Sequence, residues 1–473
     1  MSQIKEVTQA ELDRQNEIIQ RLAKHNAGLP VNPLAFVDTY GCQQNESDSE
    51  KLRGMLSQMG YGFTQSEFEA DLIVINTCAV REHAELRVLG NVGALSHAKR
   101  AKKGQKLVLC GCMVQQAHRV EKLKKSYPYV DLIFGPHELW RFPELLEKTL
   151  SPHKGKIIET RQIDGELVEG LPVYRTSGVR AWITVMNGCN NFCSYCVVPY
   201  VRGRERSRSP EAVIKEARQA IEAGYKEIYL LGQNVNSYGK GLDKAADFSY
   251  LLREINNIDG EFIIRFMTSH PKDASDRLFE TMAECQKVER HIHLPFQSGN
   301  DRILKEMNRG YTSDYYYRLT EKARSLMPDI AITSDVIVGF PTETDEEFED
   351  TLRLVEKVGF DMLFTFIYSP RVGTSAAAMP DPFSREDKQR RFDRLLELQN
   401  RLSQVSQAAH IGRTHRILID GEGDAEGRLT ARTSCGRLVH IEGGKELIGT
   451  FQDALITDST TWSLSGRLID KGR

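Results

Sequence analysis

Apolar positions along this chain recur in two periods. Short apolar runs, "LAFVDTY", "DLIVIN", "KLVLC" and "VDLIFG", lie between residues 34 and 135 and read as strands. Between the first two, Leu52, Met55, Leu56 and Met59 fall at helical spacing, and a second helical stretch fills residues 80–100. Strands alternating with helices predict an open parallel α/β sheet. A second alternating series begins near Tyr174, with "AWITVMN", "EIYLLGQ", "FIIRFMT", "HIHLPFQ", "IAITSDVIVGF" and "MLFTFIY" as its strands. Six βα units predict a partial (β/α)6 barrel, short of the eight that close a TIM barrel. One helix is delimited by its own residues: Ser209 as N-cap, Pro210 in the first turn, Gly224 at the end. After a charged helix over 384–410, the strands "HRILIDG", "GRLTART", "GRLVHIEG" and "LSGRLID" predict a small, OB-like β-barrel.

A chain of 473 residues exceeds what one core holds. The pattern divides it into a polar helical extension (1–32), a first α/β domain (33–151, closed by the linker "SPHKGK"), a barrel (174–405) and a C-terminal barrel (408–471). The fold class is therefore α/β multidomain. The formal net charge of −2 gives no global attraction to nucleic acid, so such binding needs a local patch. No apolar run of about 18 residues appears, and the first residues lack the apolar segment of a secretory signal. A cytoplasmic location without membrane contact is expected.

The nine cysteines are too sparse for a disulfide scaffold. In "NGCNNFCSYC", Cys189, Cys193 and Cys196 stand at C-x3-C-x2-C spacing after the first barrel strand, where parallel barrels place active sites. Structural zinc is the alternative, but it takes four closed ligands. A [4Fe–4S] cluster held by three thiolates keeps one iron open to a small molecule. Cys42, Cys78 and Cys112 each follow a strand of the first domain. Ligands of open α/β sheets bind beyond those carboxyl ends, so the three can converge; ordinary buried thiols are the alternative. Cys110 reads as a packed strand residue, and Cys285 and Cys435 have no partner pattern. Two clusters are expected, the second with an iron able to bind sulfide.

The chain resembles the methylthiotransferases of the radical S-adenosylmethionine (SAM) superfamily. "TYGCQQNESDS", "VINTCAVRE", "GCMVQQ", "GCNNFCSYCVVPYVRGRERSR", "LLGQNVNSYG", "HLPFQSGN", "SDVIVGFPTET" and "SPRVGTSAA" carry the resemblance. It covers the chain from about residue 33 onward and implies a C-terminal TRAM domain. The cysteine loop and "LLGQNVNSYG" are most similar to the branch that methylthiolates C2 of N6-isopentenyladenosine at position 37 of tRNA. Sister branches act on threonylcarbamoyladenosine in tRNA and on an aspartate of a ribosomal protein; an RNA-binding iron–sulfur or zinc protein is the non-enzyme alternative. The resemblance implies two [4Fe–4S] clusters and SAM. The Cys189/Cys193/Cys196 cluster would cleave SAM to a 5′-deoxyadenosyl radical that removes the C2 hydrogen, which is not acidic enough for a general base. The Cys42/Cys78/Cys112 cluster would present sulfur, and a second SAM would supply the methyl group.

Gln233, Ser298 and Gly339, at strand ends, are the expected SAM contacts, although Gly339 also reads as relief of crowding before Pro341. Arg202, Arg204, Arg206 and Arg208 are expected to hold phosphates of a tRNA anticodon stem-loop. A second basic stretch, Lys99 to Lys106, reads either as a phosphate contact or as a solvated face. The segment 412–473 is neutral, with nine Arg/Lys and nine Asp/Glu. An electron donor such as flavodoxin or ferredoxin is the further expected partner; DNA is not one.

Overall fold

The computed structural model describes residues 7–80, 82–152, 155–160, 167–242 and 246–469. Parts of the expected extension, linker and C-terminal barrel lie outside these. The chain divides into two compact units.

The first unit comprises 1–176, 187–190 and 196–208. Its sheet is parallel, in the order Gly62–Phe63, Leu34–Thr39, Leu72–Thr77, Lys106–Gly111, Leu132–Phe134, Ile157–Glu159. The central strand Leu72–Thr77 is buried at every position, as a strand covered on both faces must be. The four predicted strands are present, and two short edge strands were not foreseen. One of them, Ile157–Glu159, lies beyond the domain boundary expected at residue 151: it pairs with Leu132–Phe134, so the sheet continues past the linker chemistry. The N-terminal extension is likewise part of this core. Helix Gln9–Ala27 opens on a Thr8/Glu11 capping box and buries Ile18, Ile19 and Leu22 with Leu52, Met55 and Leu56. Three apolar residues on one face suffice for docking, although the helix is polar on average.

The second unit comprises 177–186, 191–195 and 209–473. It holds all six predicted barrel strands: Arg180–Thr184, Glu227–Leu231 and Ile263–Phe266 in one parallel half, His291–His293, Ala331–Val338 and Met362–Ile367 in the other. An isolated parallel bridge, Ile264 to Val288, links the halves. Ile183, Leu230, Ile264, Ile292 and Val336 fill the interior beneath the strand ends. Helix Pro210–Glu222 begins as predicted: the Ser209 side chain accepts from the Ala212 amide. Gly224, at φ +94°, follows its end.

The C-terminal barrel is closed and has five strands, in the order Thr414–Glu422, Arg428–Thr433, Leu438–Glu442, Leu464–Leu468, Phe451–Ser459. The sequence pattern gave four. Phe451–Ser459 was missed because Asp453, Thr457 and Asp458 interrupt its apolar alternation.

Candidate functional site

Within the first unit the thiols of Cys42, Cys78 and Cys112 stand at the carboxyl ends of three adjacent strands. Thr77 is paired with Gly111, so Cys78 and Cys112 leave the sheet side by side. The Cys112 amide donates to Thr77 O at 2.8 Å. Cys42 caps helix Gln43–Gln58 without a side-chain cap bond, which leaves its sulfur to face the other two. Gly41 (φ +113°) and Gly111 (φ +93°) turn the backbone before Cys42 and Cys112. A Cβ on Gly41 would collide with Cys78, and one on Gly111 with Asn76 and Thr77.

The first turns of helix Gln43–Gln58 bury polar residues: Asn45, Ser47, Asp48, Ser49 and Glu50. Asn45 Oδ1 lies 3.9 Å from Cys42 Sγ and 4.0 Å from Cys112 Sγ. Its Nδ2 donates to Tyr40 O and Thr77 O at 2.8 and 3.0 Å, tying the loops after two strands to one side chain.

A cation completes this site. Arg202 is 6% exposed. It donates from Nε to Cys112 Sγ at 3.0 Å and from Nη2 to Asn45 Oδ1 at 2.7 Å, and it pairs through Nη1 with Asp48 Oδ2 at 2.7 Å. Burial opposes its charge, but Asp48, Cys112 and Cys42 outweigh that and hold it protonated. Val197 and Val201 pack with Ala79 and Cys112, which fixes the short helix Val198–Arg202 that delivers the guanidinium. The Cys42 thiol, hydrogen-bonded to Cys78 and facing Arg202, is drawn below its ordinary value, while Cys78 shifts upward. Burial pushes Cys112 up to about 11, against the pull of Arg202.

Among the described residues no group of three or more His, Cys, Asp or Glu side chains could hold a metal ion. A [4Fe–4S] cluster takes thiolate donors. Three thiols on neighbouring strand ends, with a buried cation against one sulfur, suit that donor set.

The C-x3-C-x2-C loop is shared by sequence between the two units. In the first, the Cys189 amide donates to Gly203 O at 3.1 Å. Gly188 (φ +81°) precedes it and lies so close to Gly203 and Arg204 that no Cβ fits. In the second unit, the residues from Asn191 to Tyr195 are clamped by the end of helix Asp301–Glu306. Met307 O accepts from the Ser194 amide at 3.1 Å, and Asn308 Nδ2 donates to Asn191 O and Phe192 O at 3.1 and 3.0 Å. Arg309 Nη1 donates to Cys193 Sγ at 3.3 Å. Phe192 itself holds φ +46°, a conformation kept by these bonds. Burial opposes the Arg309 charge, and Tyr195, Tyr311 and Cys193 hold it protonated.

The expected SAM contacts have mixed surroundings. Gln233 is partly buried, two residues past strand Glu227–Leu231. Ser298 is buried with its Oγ 3.5 Å from Thr351 Oγ1. Gly339 (φ +69°) donates its amide to Glu343 Oε2 at 2.8 Å, and a Cβ there would meet the Lys388 side chain. That crowding comes from helix Arg385–Ala408.

The expected phosphate-binding arginines need correction. Arg202, Arg206 and Arg208 are buried. Arg206 donates to Arg204 O and Arg202 O, and Arg208 forks onto Glu169. Buried guanidinium groups already bonded to protein acceptors do not present a phosphate surface; of the four, Arg204 is exposed. In the other basic stretch Lys99 pairs with Asp131 and Lys102 with Asp71. Asn45, Asp48 and Met307–Arg309 were not foreseen. One signal was available: the dipeptide Gly-Cys occurs at 41–42, 111–112 and 188–189, each time with a left-handed glycine.

Three family models match the chain: the radical SAM superfamily over residues 183–355, an uncharacterized protein family, UPF0004, over 35–135, and the TRAM domain over 408–469. A tRNA-2-methylthio-N(6)-dimethylallyladenosine synthase of Thermoanaerobacter sp. (strain X514) is 47% identical over 98% of both chains. A protein of the same name from Clostridioides difficile (strain 630) is 46% identical over 99% of this chain and 100% of its own. Among solved structures, the radical SAM methyltransferase TsrM of Kitasatospora setae, with cobalamin and a [4Fe–4S] cluster bound, superposes with a TM-score of 0.53 at 14% identity, over 73% of this chain and 74% of that one. That likeness concerns the fold.

Proposed function

This chain belongs to the family of tRNA-2-methylthio-N(6)-dimethylallyladenosine synthases, and from that premise we propose that it adds a methylthio group to C2 of N6-isopentenyladenosine at position 37 of tRNA, using two [4Fe–4S] clusters. It is a radical SAM enzyme of tRNA modification, with SAM and one [4Fe–4S] cluster as family cofactors. Cys189, Cys193 and Cys196 hold that cluster, and with SAM bound it supplies the adenosyl radical for abstracting a hydrogen that no side-chain base could remove. Cys42, Cys78 and Cys112 hold the second cluster and so keep a sulfur source within the first unit.

The observation that supports the second cluster best is the convergence of three thiols on neighbouring strand ends, with Arg202 donating to Cys112 Sγ at 3.0 Å. A structural thiol gains nothing from a buried cation, whereas a thiolate ligand is stabilised by one. Asn45 sets the spacing between the loops bearing Cys42 and Cys78. Gln233, Ser298 and Gly339 border SAM at the strand ends. Arg204 contributes to the phosphate contacts of the anticodon stem-loop, where position 37 is already unpaired and costs little to expose. The electron comes from a low-potential carrier such as flavodoxin or ferredoxin, and the reaction takes place in the cytoplasm. Among the described residues no helix is long and apolar enough to cross a membrane.

The test supplies anaerobically reconstituted protein with SAM, dithionite and tRNA carrying isopentenyladenosine, and reads nucleosides by mass spectrometry. Methylthio-isopentenyladenosine should form, and should vanish in Cys193→Ala and Cys78→Ala. Iron should fall by about half in each variant, one of two clusters being lost. Full iron in Cys78→Ala would exclude the second cluster; SAM cleavage without product would move the substrate to a sister branch.

A further inference from the structure

Each cysteine triad has one buried arginine donating to one of its sulfurs, and the two arginines differ in what else they touch. Arg202, at Cys112, is neutralised by Asp48 at 2.7 Å. Arg309, at Cys193, is 4% exposed, and its other partners are neutral. Nε donates to Tyr311 Oη at 3.0 Å, Nη1 to Tyr195 Oη at 3.4 Å and Nη2 to Pro295 O at 2.5 Å. Tyr311 in turn donates to Phe296 O at 2.9 Å, so its lone pairs face the guanidinium. Among the described residues no carboxylate pairs with Arg309.

An uncompensated buried cation costs several kcal/mol unless an anion shares its site. Arg309 Nη1 lies 3.3 Å from Cys193 Sγ, so its charge is held against a sulfur of this triad with no carboxylate to neutralise it.

We propose that Arg309 is a positioning residue that sets the reduction potential of the SAM-binding cluster: its unpaired charge, held against Cys193 Sγ, stabilises the one-electron-reduced cluster. Reduction adds one electron from the donor and leaves the cluster one unit more negative, so a fixed cation nearby favours it. Arg202, already paired with Asp48, gives the auxiliary cluster no comparable net charge. The donor's electron is thereby directed to the cluster that must pass it to SAM. This inference rests on the two-cluster reading above.

The test uses the full chain with Cys42, Cys78 and Cys112 replaced by Ala, so that one cluster reports, and follows that cluster by electron paramagnetic resonance in a redox titration without SAM. At the parent midpoint, Arg309→Gln should lower the ratio of reduced to oxidised cluster about tenfold, equivalent to about 59 mV for one electron. Arg309→Lys, which keeps the charge, should restore most of it. Equal midpoints in all three proteins at full iron would overturn the proposal, as would an equal shift in the Lys and Gln variants. Should Arg309→Gln fail to take up iron, cluster recovery in Arg309→Lys would uphold the role of charge, and loss in both would overturn it. Absence of any cluster signal in the parent would instead reject the ligand assignment of Cys189, Cys193 and Cys196.

Discussion

Arg202 and Asp48 form an ion pair that neither could leave without stranding the other, since both are buried. Arg202→Gln should therefore destabilise the metal-free protein by about 3–5 kcal/mol, the cost of a buried carboxylate without its partner, read as a lower urea midpoint. A second variant, Arg202→Gln with Asp48→Asn, should recover part of that loss; no recovery would mean that the pair is not the cause. Glu50 shows the opposite situation. It is 2% exposed and its Oε2 has no hydrogen-bond partner. Burial raises its carboxyl from 4.5 to about 7, with Arg175 and Arg53 offsetting part of the shift. Between those values the folded protein keeps a proton that the unfolded chain has released. Stability should then fall as pH rises across that window, by up to about 3 kcal/mol. Glu50→Gln should flatten the profile, and an unchanged slope would assign it to another group.

At the scale of elements, helix Gln43–Gln58 does two things with one sequence. Its first half brings Asn45 and Asp48 to the thiols, and its second half packs Leu52, Met55 and Leu56 into the core. Gly54 lies within the packing half. In an exposed helix, alanine would be the better residue by about 1 kcal/mol. Here a Cβ would meet the Pro172 carbonyl, held close because the Tyr174 amide donates to Glu50 O at 2.9 Å. Gly54→Ala should therefore lower stability, by about 1–3 kcal/mol; a raised melting temperature would show that the segment 172–176 yields freely. The clamp by Met307, Asn308 and Arg309 is the corresponding device in the barrel, where one helix end orders a cysteine loop through backbone, amide and guanidinium.

At the scale of the molecule, the C-terminal barrel is attached to the parallel-stranded part of the second unit by more than its linker. Arg437 reaches Asp361, Ser406 Oγ at 2.9 Å and Gln407 Oε1 at 3.0 Å, joining a barrel turn, the long helix Arg385–Ala408 and the start of the last parallel strand. Arg437→Ala should loosen this attachment by about 3 kcal/mol. Hydrogen exchange should then rise across 414–468 while strands 263–266 and 331–338 stay protected; uniform protection would show that the other contacts, such as Val179 and Ile263 against Leu418, suffice.

What the sequence determined by itself was local. Runs of apolar residues specify strands, glycine allows the left-handed turn before a ligand, and a cysteine three residues past the last apolar position lies at a strand end wherever that strand goes. The strand-end positions of Cys42, Cys78 and Cys112, the six barrel strands and the Ser209 cap were readable for that reason. Burial of charge was not. "VRGRERSR" has the composition of an RNA-binding surface, yet Arg202 is aimed inward by Val197 and Val201 and meets Asn45, far from it in sequence. The same holds for helix Gln9–Ala27, polar by average and docked by three residues. Whether an arginine faces solvent, a carboxylate or a thiol depends on partners that only chain folding brings together, and the low polarity of that packed interior turns an ordinary side chain into one that governs a neighbouring sulfur.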